Sequence, residues 1–291
     1  MTDFGLVMFP ADYAIAPAEL ARACEHNGFE SLFFPEHTHI PASRLSPWPG
    51  GAELPKEYWH THDPFVGLAA AAAVTSTLKV GTGIALVTER DPILMAKQVA
   101  TLDHISDGRL ILGVGAGWNA EEMENHGTLF ADRWKVLRER ILAMKAIWTD
   151  EAAEFHGDYV DFDPLWSYPK PKQVGGPPIL MGASSKYMYK RIAEYCDGWF
   201  PIYQDEARAA ASGATDYSES MRLTHEAWKA AGRSGSPNFT VFGVGPDPAA
   251  VERCLSKRFD RIVFALPPAA ADEVLPMVER YAGLKKQFEA A

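Results

Sequence analysis

Hydrophobic positions along this chain follow two rhythms in alternation. Short runs of apolar, β-branched residues give way to stretches whose apolar side chains fall three and four residues apart. The first rhythm belongs to buried strands and the second to amphipathic helices. Leu78 to Trp118, LKVGTGIALVTERDPILMAKQVATLDHISDGRLILGVGAGW, holds one complete cycle. Leu78–Ala85 reads as a strand, interrupted by Gly81 and Gly83 where another backbone comes close. Asp91–Pro92 is an N-cap followed by a proline at the first helical position. Met95, Val99, Leu102 and Ile105 then share one helical face, and Asp107–Gly108 ends the helix. Arg109–Gly115 is apolar at successive positions, as a strand buried on both faces must be.

The same grammar runs through the rest. Phe4–Phe9 and Glu30–Pro35 are strands, separated by a helix over Pro17–Asn27. Glu36–His62 is a long loop after strand 2, rich in proline, glycine and aromatic residues, and loops of that length are usually lids or binding loops. A helix follows over Pro64–Ser76, then the unit described above. After Trp118 come a short helix in NAEEMENHG and a longer one over Arg133–Trp148. Glu154–Phe162 alternates around Gly157–Asp158, which is hairpin chemistry. Beyond a proline-rich connector the cycle resumes. Strands are expected at Pro178–Met181, Gly198–Ile202, Phe239–Gly243 and Arg261–Leu266. Helices are expected from about Ser185 to Cys196, at Tyr217–Ala231, at Asp247–Ser256, and from Ala270 towards Phe288. Eight strand–helix units in alternation predict an α/β fold, a closed (β/α)8 TIM barrel with a β-hairpin insertion, as a single domain over 1–291.

Composition narrows the function. Lys and Arg total 28 against 38 for Asp and Glu, a net charge of −10, which argues against nucleic-acid or anionic-membrane partners. Cys24, Cys196 and Cys254 show no paired spacing and suit reduced thiols. MTDFGLVMFP lacks the pattern of a signal peptide, and the apolar run near Leu68–Val74 is too short to span a bilayer. A soluble cytoplasmic protein with a small-molecule substrate is expected.

Active sites of such barrels lie at the C-terminal ends of the strands. Those ends offer Glu36–His37, Gly83–Ile84, Gly115–Asn119, Gly182–Ser185, Trp199–Pro201 and Leu266–Pro268. Glycine, small and aromatic residues with one acid–histidine pair suit a planar ligand better than a metal cage. The glycines of strand four fail the dinucleotide fingerprint, because Trp118 stands at its last glycine. They either keep backbone bare beside a flat ligand or turn the chain. Gly182–Ser185 either cradles a phosphate or caps a helix through Ser184. His37/His39 and His60/His62 resemble metal pairs, but later strand ends supply no further His or Asp, so no metal is expected.

GFESLFFPEH, the Asp63–Pro64 step before an alanine-rich helix, the Leu78–Glu122 segment and AEYCDGWFPI together resemble the luciferase-like monooxygenase superfamily, in its branch of probable F420-dependent oxidoreductases. The match covers roughly two-thirds of the chain, and the tail after Tyr203 resembles nothing in particular. The resemblance implies the same barrel, a homodimer, and coenzyme F420, or alternatively FMN, across its mouth. It implies cofactor contacts from Glu36, His37, Gly83, Ile84, Gly115, Ala116, Gly117, Trp118, Asn119, Met181, Gly182, Ala183, Ser184 and Ser185, with a cis peptide at Gly83–Ile84. Relatives that use FMN carry an arginine where this chain has Ala116, and a sugar-phosphate dehydrogenase of the family carries a glutamate where it has Trp118. His37 is the expected catalytic residue, since a histidine gives or takes a proton near neutrality. Trp48, Tyr58 and Trp59 would form the apolar cover. The expected reaction is hydride transfer between F420 and a small organic substrate. An FMN-dependent monooxygenase and a non-catalytic flavin-binding barrel are the alternatives.

Overall fold

The computed structural model describes residues 2–51, 53–185, 187–205 and 216–289. In chain order the strands are β1 (Asp3–Val7), β2 (Ser31–Phe34), β3 (Lys79–Leu86), β4 (Leu110–Gly115), β5 (Ala153–His156), β6 (Asp161–Leu165), β7 (Ile179–Met181), β8 (Gly198–Trp199), β9 (Asn238–Val244) and β10 (Arg261–Ala265). Eight of them, all parallel neighbours, close a barrel in the order β1-β10-β9-β8-β7-β4-β3-β2. β5 and β6 pair antiparallel as a separate two-stranded sheet, the hairpin expected around Gly157.

The helices follow their strands: α1 (Pro17–His26), α2 (Glu57–His60), α3 (Pro64–Ala72), α4 (Pro92–Ile105), α5 (Ala120–Asn125), α6 (Arg133–Thr149), α7 (Met188–Tyr195), α8 (Tyr217–Ala230), α9 (Pro248–Ser256) and α10 (Ala271–Glu289). Aspartate–proline steps begin three of them. Asp63 accepts from the Val66 N–H, Asp91 from Leu94 and Asp247 from Ala249, each satisfying a donor the helix cannot.

Two elements are shorter than their hydrophobic pattern. α3 ends at Ala72 rather than Ser76, because the guanidinium of Arg109, just before β4, takes the Ala72 and Thr75 carbonyls at 2.9 and 3.0 Å. β8 stops at Trp199, with only an isolated bridge between Ile202 and Phe242 beyond it. Pro201 has no N–H for the ladder, though its carbonyl still accepts from Phe242.

Side chains inside the barrel and outside it form separate clusters. Val7, Phe33, Ile111, Leu180, Phe200 and Val263 fill the interior, with Ile84, Phe242 and Ala265 packed on top. The outer cluster joins strands to helices and contains all three cysteines, each buried and unbonded. Among the described residues no helix is long and apolar enough to cross a membrane.

Candidate active site

Above that interior plug, at the C-terminal ends of the strands, lies a cavity of about 570 Å³. The volume falls within the range of about 300–1,000 Å³ usual for small-molecule sites. Ile84, Phe200 and Phe242 contribute from below and Phe9, Tyr58, Trp118 and Trp134 around it.

Glu36 and His37 both line the cavity but are held differently. The buried Glu36 carboxylate accepts from the Leu86 N–H at 2.6 Å and from Arg90 Nε at 2.6 Å. Arg90 also reaches Asp63, the cap of α3, and lies over the Phe65 ring. Glu36 therefore ties the end of β2 to the end of β3. Burial pushes its carboxyl up, against the pull of Arg90 and of the Leu86 N–H.

His37 donates from Nδ1 to Glu122 Oε2 at 2.8 Å, and the Thr38 N–H donates to the other oxygen at 3.0 Å. Glu122 comes from the first turn of α5, where Asn119 caps the helix by accepting from the Glu122 N–H. The His37 ring packs 5.0 Å from Tyr58 and 5.8 Å from Trp118. Its polar edge thus sits in an aromatic frame.

The Gly83–Ile84 peptide is cis, as the resemblance implied. The glycines around it have a definite task. A Cβ on Gly115 would lie 2.0 Å from Ile84 Cδ1, and one on Gly182 would lie 2.9 Å from Ile84 Cγ2. They are bare to admit Ile84, which in turn faces the cavity. Gly117 sits at φ +76°, where a side chain would be strained.

Of the expected residues, Glu36, His37, Gly83, Ile84, Ala116, Gly117, Trp118, Gly182, Ala183, Ser184 and Ser185 come together on the cavity. Gly115 lies behind Ile84, Asn119 is the α5 cap, and Met181 is fully buried in the outer cluster. Ser184 does not cap α7, which starts only at Met188 with Tyr187 at the cap position. The Ser185 hydroxyl is buried with no partner among the described residues. Of the aromatic cover, Tyr58 lines the cavity and Trp48 packs on it 5.7 Å away, whereas Trp59 is half exposed and lies tilted against His60. No group of three or more metal-ligating side chains forms among the described residues, and His60 instead meets Asp12.

Sequence reasoning passed over Arg133 and Trp134, which enter the cavity from the start of α6. A signal existed, since a cation in the first helical turn opposes the helix dipole and calls for another reason. The Arg191 guanidinium lies over the Trp134 ring at 3.9 Å, and that of Arg133 lies 5.9 Å from it.

The fold and site together are a closed parallel barrel with an apolar floor, an aromatic wall and one carboxylate-held histidine at its C-terminal mouth. A model of the luciferase-like monooxygenase family matches residues 13–257, and the chain belongs to that family. An uncharacterized protein of Mycobacterium tuberculosis is 41% identical over 282 residues, covering 96% of this chain and 97% of that one. Similarity therefore continues well past Tyr203, contrary to the expectation for the tail. Among solved structures, the monooxygenase RslO1 from Streptomyces bottropensis superposes with a TM-score of 0.80 at 18% identity, covering 99% of this chain and all of that one. An F420-dependent secondary alcohol dehydrogenase in complex with an F420–acetone adduct superposes with a TM-score of 0.76 at 17% identity, covering 97% and 98%. These likenesses establish the fold.

Proposed function

We propose that the protein is an F420-dependent oxidoreductase that moves a hydride between the deazaflavin and a small organic carbonyl, alkene or alcohol. The observation that carries this reading is the cavity itself. It combines an apolar floor at Ile84, an oriented imidazole at His37, and a polar set of Ser184, Ser185 and Arg133. The unpartnered Ser185 hydroxyl and the Arg133 cation fit a ligand with an anionic tail. Bound F420 would supply a ring carbon that carries hydride as a two-electron carrier.

The protein's own share is placement and proton handling. Ile84 would support a flat ring, with Gly115 and Gly182 leaving it room. Tyr58, Trp118 and Trp134 would exclude water from the reacting atoms. His37 would give a proton to the anion left when hydride adds to a carbonyl, or take one from an alcohol losing hydride.

Similarity to an FMNH(2)-dependent dimethylsulfone monooxygenase of Pseudomonas putida, 35% identical over 134 residues, favours the FMN reading as the second choice. Titration of the apoprotein with F420 and with FMN, followed by fluorescence quenching, separates the two. Tighter binding of F420 is expected, since Ala116 offers no cation at its position. FMN winning by tenfold, about 1.4 kcal/mol, overturns the proposal.

A further inference from the structure

We propose that Glu89, Glu122 and His37 form one chain, in which Glu122 is the positioning residue that fixes the His37 tautomer and Glu89 is a neutral acid that leaves Glu122 its charge. The inference rests on the reading of His37 as the proton-handling group. An ionised carboxylate only accepts hydrogen bonds, so the 2.8 Å contact with Glu122 puts the His37 proton on Nδ1. The Nε2 lone pair is then free for the cavity. When Nε2 takes a proton from an alcohol, the imidazolium that forms is balanced by Glu122; returning that proton to a substrate oxygen restores the neutral ring.

Glu122 has no exposed side-chain surface, so no water can replace this contact. Behind it stands Glu89, at the end of a short 3-10 turn after β3. Both Glu89 oxygens are buried with no hydrogen-bond partner among the described residues, and the charge of Glu122 acts on them. Two buried carboxylates that feel each other's charge do not readily both ionise. Glu122 receives two N–H groups and Glu89 none, so the proton belongs to Glu89. Burial first, then the charges of Glu122 and Glu36, push the Glu89 carboxyl up to about 10, against the pull of Arg90.

Of the other charged groups nearby, Arg140 shares a cavity with Glu89, keeps a buried Nε without a partner among the described residues and is drawn by the Glu89 charge. Arg90 pairs with Glu36 and Asp63, and Arg140 donates to the Val87 carbonyl at 3.0 Å and to Thr128 Oγ1 at 3.4 Å. His126 is hydrogen-bonded to Thr38 Oγ1 at 2.8 Å. Glu89, His126 and Arg140 line a second cavity of about 350 Å³, distinct from the one His37 faces. Asp91 and Asp161 lie on that cavity too.

The test uses the full chain without cofactor. In spectra with nitrogen-15-labelled histidine, neutral His37 is expected to carry its proton on Nδ1 by at least about tenfold over Nε2, the preference a buried carboxylate partner confers. Glu122→Gln should abolish that preference and Glu122→Asp retain part of it. A wild-type His37 protonated on Nε2, or a tautomer unmoved in Glu122→Gln, overturns the chain.

The Glu89 arm reads stability. The folded state keeps a proton that the unfolded chain releases above about pH 4.5, so stability should fall as pH rises from there towards about 10. Glu89→Gln has no proton to keep. Its melting temperature should therefore gain on wild type by several degrees between about pH 6 and about pH 9. Parallel pH profiles for the two proteins would show Glu89 ionised and overturn its role. Titration of the same samples with F420 separates the two levels of the argument. Failure to bind F420 removes the functional reading, while the tautomer and the stability slope still decide the chain.

Discussion

At the scale of single residues, His37 and Ser184 carry the functional argument furthest. If His37 transfers the proton, His37→Ala should lower turnover by about a hundredfold or more. Turnover that survives while cofactor affinity falls would make His37 a binding residue instead. Ser184 is exposed on the cavity and caps no helix, so a charge placed there disturbs little of the fold. Ser184→Asp should weaken F420 binding at least tenfold, about 1.4 kcal/mol, by repelling the anionic tail. An unchanged circular dichroism spectrum would show that the fold is intact, and unchanged affinity would remove the phosphate role. The sequence made His37 visible because it comes two residues after the apolar run Leu32–Phe33–Phe34–Pro35. Glu122 stayed hidden, since an acid in the first turn of a helix reads as an ordinary favourable partner of the helix dipole. Only its complete burial beneath His37 gives it another meaning.

At the scale of elements, the ends of β3, β4 and β7 form one unit around Ile84. Gly115 and Gly182 flank its side chain, and Glu36 anchors the neighbouring Leu86 backbone. Gly115→Ala would bring a methyl group to 2.0 Å from Ile84 Cδ1, which must move. The rigid interior behind Ile84 leaves the cavity as its outlet. The variant should lose about 1–3 kcal/mol of stability in urea unfolding and bind F420 more weakly. Native affinity in the folded variant would mean that Ile84 is not the support for the ring. The strand–helix alternation was readable because β3 and β4 are largely buried on both faces and so are mostly apolar, Lys79 and Thr82 apart. The ends of elements were less so. α3 is cut short by Arg109, a residue of another unit, and β8 by a proline whose cost depends on its partner strand.

At the scale of the whole molecule, the N-terminal face of the barrel is closed by charge. Glu30, just before β2, accepts from Arg261 Nε and Nη2, each at 2.7 Å, and meets Lys79 at 2.6 Å. Burial alone would raise its carboxyl, but the hydrogen bonds and charge of Arg261 outweigh that and hold it at about 2. A depressed carboxyl stabilises the fold fully above its unfolded value of 4.5 and loses that stabilisation as pH falls through about 2. The interval corresponds to about 3 kcal/mol at most. Glu30→Gln should therefore lower stability near neutrality and flatten the acid limb of the stability–pH curve between about pH 5 and about pH 2. A limb as steep as wild type's would assign the acid sensitivity to other carboxyls.

The sequence by itself determined the order of strands and helices, the hairpin outside the barrel and the residues at the strand ends. Each of those depends on periodicity, caps or turn chemistry within a few neighbours. Tertiary structure decided which of those residues meet. Closure of the barrel brings Ser185 into the same cavity as His37 and sends Asn119 and Met181 elsewhere. It sets Arg133 beside a site that its own helix does not announce. It also places Glu122 against His37 across 85 positions of chain, with Glu89 behind it. Contacts at that separation leave no local pattern, because burial and distance between remote segments exist only once the chain has folded.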